Sequence, residues 1–302
     1  MRAKQPLRLM LGTVQFGMNY GIANKTGQPS YDQVRDILAC AVEGGVNGLD
    51  TAAQYGQSEE MLGCAMTELS LIGKLTVVTK IMPLAGDLSP DRAYGLIEKS
   101  VRTSLQRLRL KCLPFCLFHR EENALYGEEL WSLKDKGLVQ RIGVSVMTPE
   151  VALNILRAGW AEAIQIPANL LDHRFERTGV LAEAKAKGVT IFVRSIYMQG
   201  LLLLPDTEIP LGLVDIIPVR RQLQALADEV GMSLRELAVR YALSLSNAQY
   251  VLVGVETLPQ MQENLKLFSK APLDAALVQA IANIVPDLPN RILMPTYWRP
   301  KI

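Results

Sequence analysis

Short runs of β-branched and apolar residues alternate along this chain with longer stretches in which apolar positions recur every three or four residues. The short runs predict strands at 8–13, 46–50, 75–80, 112–118, 141–145, 163–167, 189–195 and 249–254. The longer stretches predict helices in YDQVRDILACAVEGG, SEEMLGCAMTEL, SPDRAYGLIEKSVRTSLQRL, GEELWSLKDKG, TPEVALNILRAG and GVLAEAKAKG, with two more at 216–230 and 233–246. Ser89 before Pro90 marks a helix start, and Gly44, Gly137 and Gly188 mark helix ends. Strands that alternate with helices pair in parallel through right-handed crossovers. Eight such units predict a (β/α)8 barrel in one domain over 1–302.

An open, doubly wound sheet uses the same alternation, but it normally carries a Gly-rich phosphate loop after its first strand. LGTVQFGMNYG contains no G-x-G-x-x-G. A barrel also gathers the C-terminal ends of all its strands at one face. Polar residues collect at such ends here. Asp50 closes GVNGLD with Tyr55 soon after it, Lys80 closes LTVVTK, and His119 closes CLPFCLFH. The stretch from Ile196 to Ala248 is longer than the other connections. The tail from 283 holds Pro286, Pro289, Pro295 and Pro300 with Tyr297 and Trp298, and reads as an extended segment packed on the body.

Taken singly, Tyr55, Lys80 and Asp50 have ordinary readings: a core tyrosine, a lysine reaching solvent, a helix-capping aspartate. Together they form an acid. An unperturbed tyrosine has a pKa of about 10 and parts with its proton reluctantly. Lys80 is placed to stabilise the phenolate and lower that value, and Asp50 to keep Lys80 charged and aimed. A neutral His119 can donate to a substrate oxygen and fix its direction.

Composition narrows the partners. With 302 residues, 49% hydrophobic, 21% charged and a formal net charge of +2, the chain buries a large core and gives no electrostatic case for nucleic acid or an anionic membrane. Pro6 and Arg8 interrupt the apolar run a signal peptide needs, and no segment reaches the ~18 apolar residues of a membrane span. A cytoplasmic protein is expected. Cys40, Cys64, Cys112 and Cys116 lack C-x-x-C spacing; Cys112 and Cys116 read as core residues sharing one face of a strand. His119 and His173 are the only histidines, and no metal is expected. Oligomeric state is open.

The local sequences carry more. LGTVQFG (11–17), LDTAAQYGQSEEMLG (49–63), VVTK (77–80), LFH (117–119), IGVS (142–145), QGLL (199–202) and VLVGVETLPQMQENL (251–265) resemble, in order, the landmarks of the aldo-keto reductase family. The resemblance spans residues 8–268. It implies an Asp, Tyr, Lys, His tetrad, intact here as Asp50, Tyr55, Lys80 and His119. It also implies a nicotinamide cofactor held by Gly12, Thr13, Ser145, Gln165, Arg194, Ser195, Tyr197, Gly200, Gly254, Glu256, Gln260, Glu263 and Asn264.

Two departures from the family pattern shape this expectation. The Asn that usually follows the strand-five serine is Val146, and the aromatic residue that usually stacks on the nicotinamide is Arg194. A guanidinium there disfavours the positively charged oxidised ring and suits reduced cofactor or an acidic substrate; the plainer reading points Arg194 to solvent. In the loop from Gly254 to Gln260 no cation faces a 2′-phosphate, and Glu256 repels one, so NADH is favoured over NADPH unless Lys25 reaches in. The expected protein is an NAD(P)H-dependent reductase of a small aldehyde or ketone, sugar-derived being one guess. The alternative is a catalytically weak nucleotide-binding regulator on the same fold.

Overall fold

A computed structural model of the chain describes residues 8–298; Met1 to Leu7 and the Pro300 of the tail lie outside the described residues. Eight parallel strands close into a barrel in chain order: β1 (Leu9–Gly12), β2 (Gly48–Asp50), β3 (Thr76–Ile81), β4 (Leu113–Phe118), β5 (Val139–Ser145), β6 (Ala163–Pro167), β7 (Thr190–Arg194) and β8 (Ala248–Gly254). β1 meets β8 with Gly12 beside Gly254, which leaves no free sheet edge. This is the (β/α)8 architecture that the alternating pattern predicts.

Strand side chains alternate between two environments. Met10, Val78, Phe115, Leu117, Ala163, Phe192 and Leu252 point inward and fill the barrel interior. Their neighbours in sequence, such as Leu9, Val77, Cys116, Phe118 and Ile164, join the larger core between strands and surrounding helices. Toward the N-terminal end of the interior, Phe115, Phe192 and Tyr250 stack or meet edge to face, with the Arg141 guanidinium 5.4 Å from the Phe115 ring centre. The interior is therefore packed up to its C-terminal mouth, which is lined by polar side chains.

Helices over Tyr31–Glu43, Ser58–Glu68, Pro90–Leu108, Gly127–Asp135, Pro149–Ala158, Val180–Ala186, Ile217–Glu229 and Leu234–Ser244 follow the predicted stretches. Ser30 and Gln33 form a capping box, while Ser89 starts its helix without a side-chain cap bond and leaves that to Pro90. Cys112 falls just before β4 and is half-buried, so it does not share the strand face of the buried Cys116. The tail is packed on the body but is not extended throughout: Asn290–Leu293 is a helical turn that buries Ile292 and Leu293. Among the described residues, no helix is long and apolar enough to cross a membrane.

Candidate active site

Period-two alternation fixes what the mouth contains. Two residues beyond an inward-facing position, the next side chain again points inward, so Val78 leads to Lys80, Leu117 to His119, Ala163 to Gln165 and Phe192 to Arg194. These four, with Asp50 at the end of β2, rim the top of the packed interior. Lys80 is buried, and its ammonium donates to both carboxylate oxygens of Asp50 at 2.8 Å and to the Thr51 carbonyl at 2.9 Å. From the far side of the barrel, Gln165 donates to Asp50 Oδ1 at 2.7 Å. A buried charge pair is tolerable only when its remaining lone pairs are met in this way.

Tyr55 stands above this base, in the loop after β2. Its ring meets the His119 ring edge to face, centres 5.5 Å apart, and the Lys80 ammonium lies 5.1 Å from the Tyr55 ring centre. Two glycines hold the loop close. A Cβ at Gly17 would fall 1.7 Å from the Tyr55 carbonyl oxygen, and one at Gly56, where φ is +51°, would fall 2.2 Å from the Gly17 carbonyl oxygen. Only side-chain-free residues let the two turns touch. Below the loop, buried Thr13, Thr51 and Ser58 hydroxyls join one network, in which Thr13 Oγ1 donates to the Asp50 carbonyl at 2.8 Å. The Thr13 side chain thus braces the ends of β1 and β2.

A model of the aldo/keto reductase family matches residues 8–286. The chain belongs to the aldo/keto reductase family. It is 26% identical, over 94% of its length and 95% of theirs, to a probable voltage-gated potassium channel subunit beta of Arabidopsis thaliana. It is 25% identical to the NADH-specific methylglyoxal reductase of Escherichia coli, over 82% of this chain and 86% of that one. Among solved structures, the holo form of the aldo-keto reductase AKR11C1 from Bacillus halodurans superposes with a TM-score of 0.76 over 92% of each chain at 23% identity, a likeness of fold.

Electrostatics within this aldo/keto reductase differ in one respect from the sequence expectation, which had Lys80 lowering the Tyr55 pKa. Burial raises it, the Asp50 charge raises it further, and Arg194 is the cation that pulls it back. The reason is geometric: the Lys80 ammonium is engaged by Asp50 and Thr51 and offers Tyr55 its flank, not a hydrogen bond. Burial also pulls Lys80 down, against the pairing with Asp50. His119 falls to about 3 through burial first, then the charges of Lys80 and Arg194, so it is neutral at physiological pH; its buried Nδ1 has no hydrogen-bond partner.

The lowered His119 value has a stability consequence. In the unfolded chain an imidazole binds a proton near pH 6.5, whereas the folded one refuses it until about 3. Its contribution is present in full above pH 6.5 and is lost as pH falls through the window from about 6.5 to 3, at up to about 1.4 kcal/mol per pH unit. Denaturant unfolding from pH 7 to 4 should show the wild type losing more stability than His119→Asn. Parallel curves would contradict the burial of a neutral imidazole.

The rim positions assigned to a cofactor divide into groups. Arg194 does not point to solvent: it donates to Ser195 Oγ at 3.2 Å, to the Val146 carbonyl at 3.1 Å and to Met147 Sδ at 2.7 Å, reaching from β7 to the loop after β5. Ser145 ends β5 and is buried. Beyond β7, Ser195, Met198, Gln199 and Gly200 all take left-handed backbone, with φ of 64°, 49°, 56° and 92°. Three of these carry side chains and are strained, as residues at ligand clamps often are. Gly12 and Gly254 lie side by side across the β1–β8 seam.

Past that seam, the Gln260 side-chain oxygen accepts from the Glu256 and Thr257 amides, completing a capping box for the helix Leu258–Phe268, so it serves the loop's shape. Buried Asn264 faces the Tyr197 hydroxyl at 3.5 Å, and Glu263 pairs with Arg235 at 3.5 Å. Arg235, which sequence reasoning missed, also lies 5.3 Å from the Tyr197 ring centre. Lys25 is paired with Glu208 at 2.7 Å. Gln15 was missed as well: it donates to Glu256 Oε1 at 3.4 Å, and its buried Oε1 has no partner. Its signal in the sequence is its place in the turn that follows Gly12. Among the described residues, no three His, Cys, Asp or Glu side chains gather to hold a metal.

Proposed function

We propose that this aldo/keto reductase reduces a small aldehyde or ketone with NAD(P)H, Tyr55 giving its hydroxyl proton to the carbonyl oxygen. The observation that carries the reading is the contact between Tyr55 and neutral His119 above the buried Lys80–Asp50–Gln165 base. His119 donates a hydrogen bond that orients the substrate oxygen toward Tyr55. Tyr55, its pKa raised, keeps its proton until negative charge builds on that oxygen. Lys80, against the ring face, steadies the phenolate left behind, and Asp50 and Gln165 fix Lys80 in place.

The residues present fit a dinucleotide. An orphaned buried acceptor, Gln15 Oε1, beside the Glu256 carboxylate offers partners for ribose hydroxyls, and the left-handed turn from Ser195 to Gly200 presents backbone where a phosphate needs close approach. Ser145, Gln165 and Ser195 would hold the nicotinamide half, and Tyr197, Glu256, Glu263 and Asn264 the adenosine half. The cofactor, when bound, supplies the hydride. Turnover is tested by following loss of reduced nicotinamide with a panel of small aldehydes and ketones. No consumption of either cofactor across the panel would sink this reading and favour a nucleotide-binding regulator.

NADH is the expected cofactor, because Glu256 repels a 2′-phosphate and Gln260 is occupied in the helix cap. Glu256→Arg should improve NADPH binding by roughly 1.5–3 kcal/mol, about ten- to a hundredfold, by adding a charge-assisted hydrogen bond. Fluorescence titrations with the two reduced cofactors read this directly. A wild type that already prefers NADPH would contradict the role given to Glu256.

A further inference from the structure

Arg194, a cation at the mouth, has no carboxylate within hydrogen-bonding distance among the described residues, and Asp50 and Asp172 act on it only from further off. Lys80 is balanced by Asp50, Arg174 by Asp172, and His119 is neutral. Among the described residues, the acceptors within hydrogen-bonding distance of Arg194 are uncharged: a hydroxyl, a carbonyl and a thioether. Glu121, which approaches the same loop, is engaged by the Met147 and Thr148 amides at 2.7 and 3.2 Å. Arg194 is an inward rim side chain two residues past Phe192, and its charge acts on Tyr55, Lys80 and His119, so the guanidinium borders the space in which a carbonyl substrate must sit. Desolvating a guanidinium beside weak acceptors is costly, and an oxyanion that takes two of its N–H groups offsets that cost.

We propose that Arg194 binds an oxyanion, carboxylate or phosphate, carried by the carbonyl substrate, so that the natural substrates are aldehydic or keto acids or phosphorylated carbonyl compounds. This rests on the reductase reading above and names its substrate class. The acceptors already present mark where the anion docks: it displaces the contacts to Val146 and Met147 on the side of the mouth that faces His119.

Matched substrates test this. Succinic semialdehyde against butanal probes the carboxylate, and glyceraldehyde phosphate against glyceraldehyde probes the phosphate. In the wild type, kcat/KM should favour the charged member of at least one pair by tenfold or more. Arg194→Gln should bring that ratio near one, and Arg194→Lys should restore part of it. A wild-type ratio near one for both pairs overturns the proposal without any variant. A ratio that persists in Arg194→Gln while NADH affinity falls also overturns it, because the guanidinium then serves the cofactor's own phosphates. Calorimetry of the same pairs on the cofactor-loaded protein separates this inference from the reductase reading. Tenfold tighter binding of a charged member without turnover upholds the anion site while refuting the reduction, and equal binding refutes the anion site whatever the turnover.

Discussion

Replacing Tyr55 by Phe is expected to lower carbonyl reduction by about 10²–10⁴-fold while leaving cofactor affinity within about twofold, the range over which a positioned general acid acts. The substitution removes one hydroxyl and keeps the ring, so the ring contacts to His119 and Lys80 survive. The raised Tyr55 pKa adds a detail. Because Tyr55 stays protonated through neutral pH, reduction should not fall as pH rises from 6 to 9, whereas alcohol oxidation, which needs the phenolate, should climb. If Tyr55→Phe retains activity within about tenfold of wild type, the proton comes from elsewhere.

Removing one partner of the buried charge pair should have the largest effect on stability. Lys80→Met leaves the Asp50 carboxylate buried with its Gln165 hydrogen bond but without the ammonium that meets both its oxygens, and breaking a buried pair in this way costs about 3–5 kcal/mol. Adding Asp50→Asn to Lys80→Met should recover a large part of that loss, since no charge is then stranded, without recovering activity. Denaturant titration of the two single variants and the double variant gives the coupling. Additive losses would mean that water reaches the pair and that the base of the site is not dry.

Much of this was legible in the sequence because barrel strands are short, apolar and bounded by polar turns. The eight predicted strands lie within two residues of β1 to β8 at nearly every end. Strand alternation also carried the site: Lys80, His119, Gln165 and Arg194 each sit two residues past an inward apolar side chain, which by itself argues against a solvent-facing Arg194. The helix Ala275–Ile284 was not read although its start is signalled by Asp274, whose side chain accepts from the Leu277 amide. The tail's prolines suggested extension, but Pro289 and Pro295 instead start helical turns.

What the sequence hid were relations across the closed barrel. Gln165 on β6 reaches Asp50 on β2 only because the strands tilt around a common interior, and no local pattern places those two together. The same pairing changes the electrostatics. A lysine near a tyrosine lowers its pKa when the lysine's charge is free, and here Asp50 takes up that charge, so burial decides the sign.

The central claim is tested most directly by following the hydride. The protein is mixed with NADH carrying deuterium at the transferable position and with succinic semialdehyde, butanal and a set of small ketones, and the products are analysed by mass spectrometry. The account predicts an alcohol with one deuterium on the former carbonyl carbon, formed one for one with oxidised cofactor and suppressed in Tyr55→Phe. Bound NADH that keeps its label, with no alcohol from any member of the set, would contradict it.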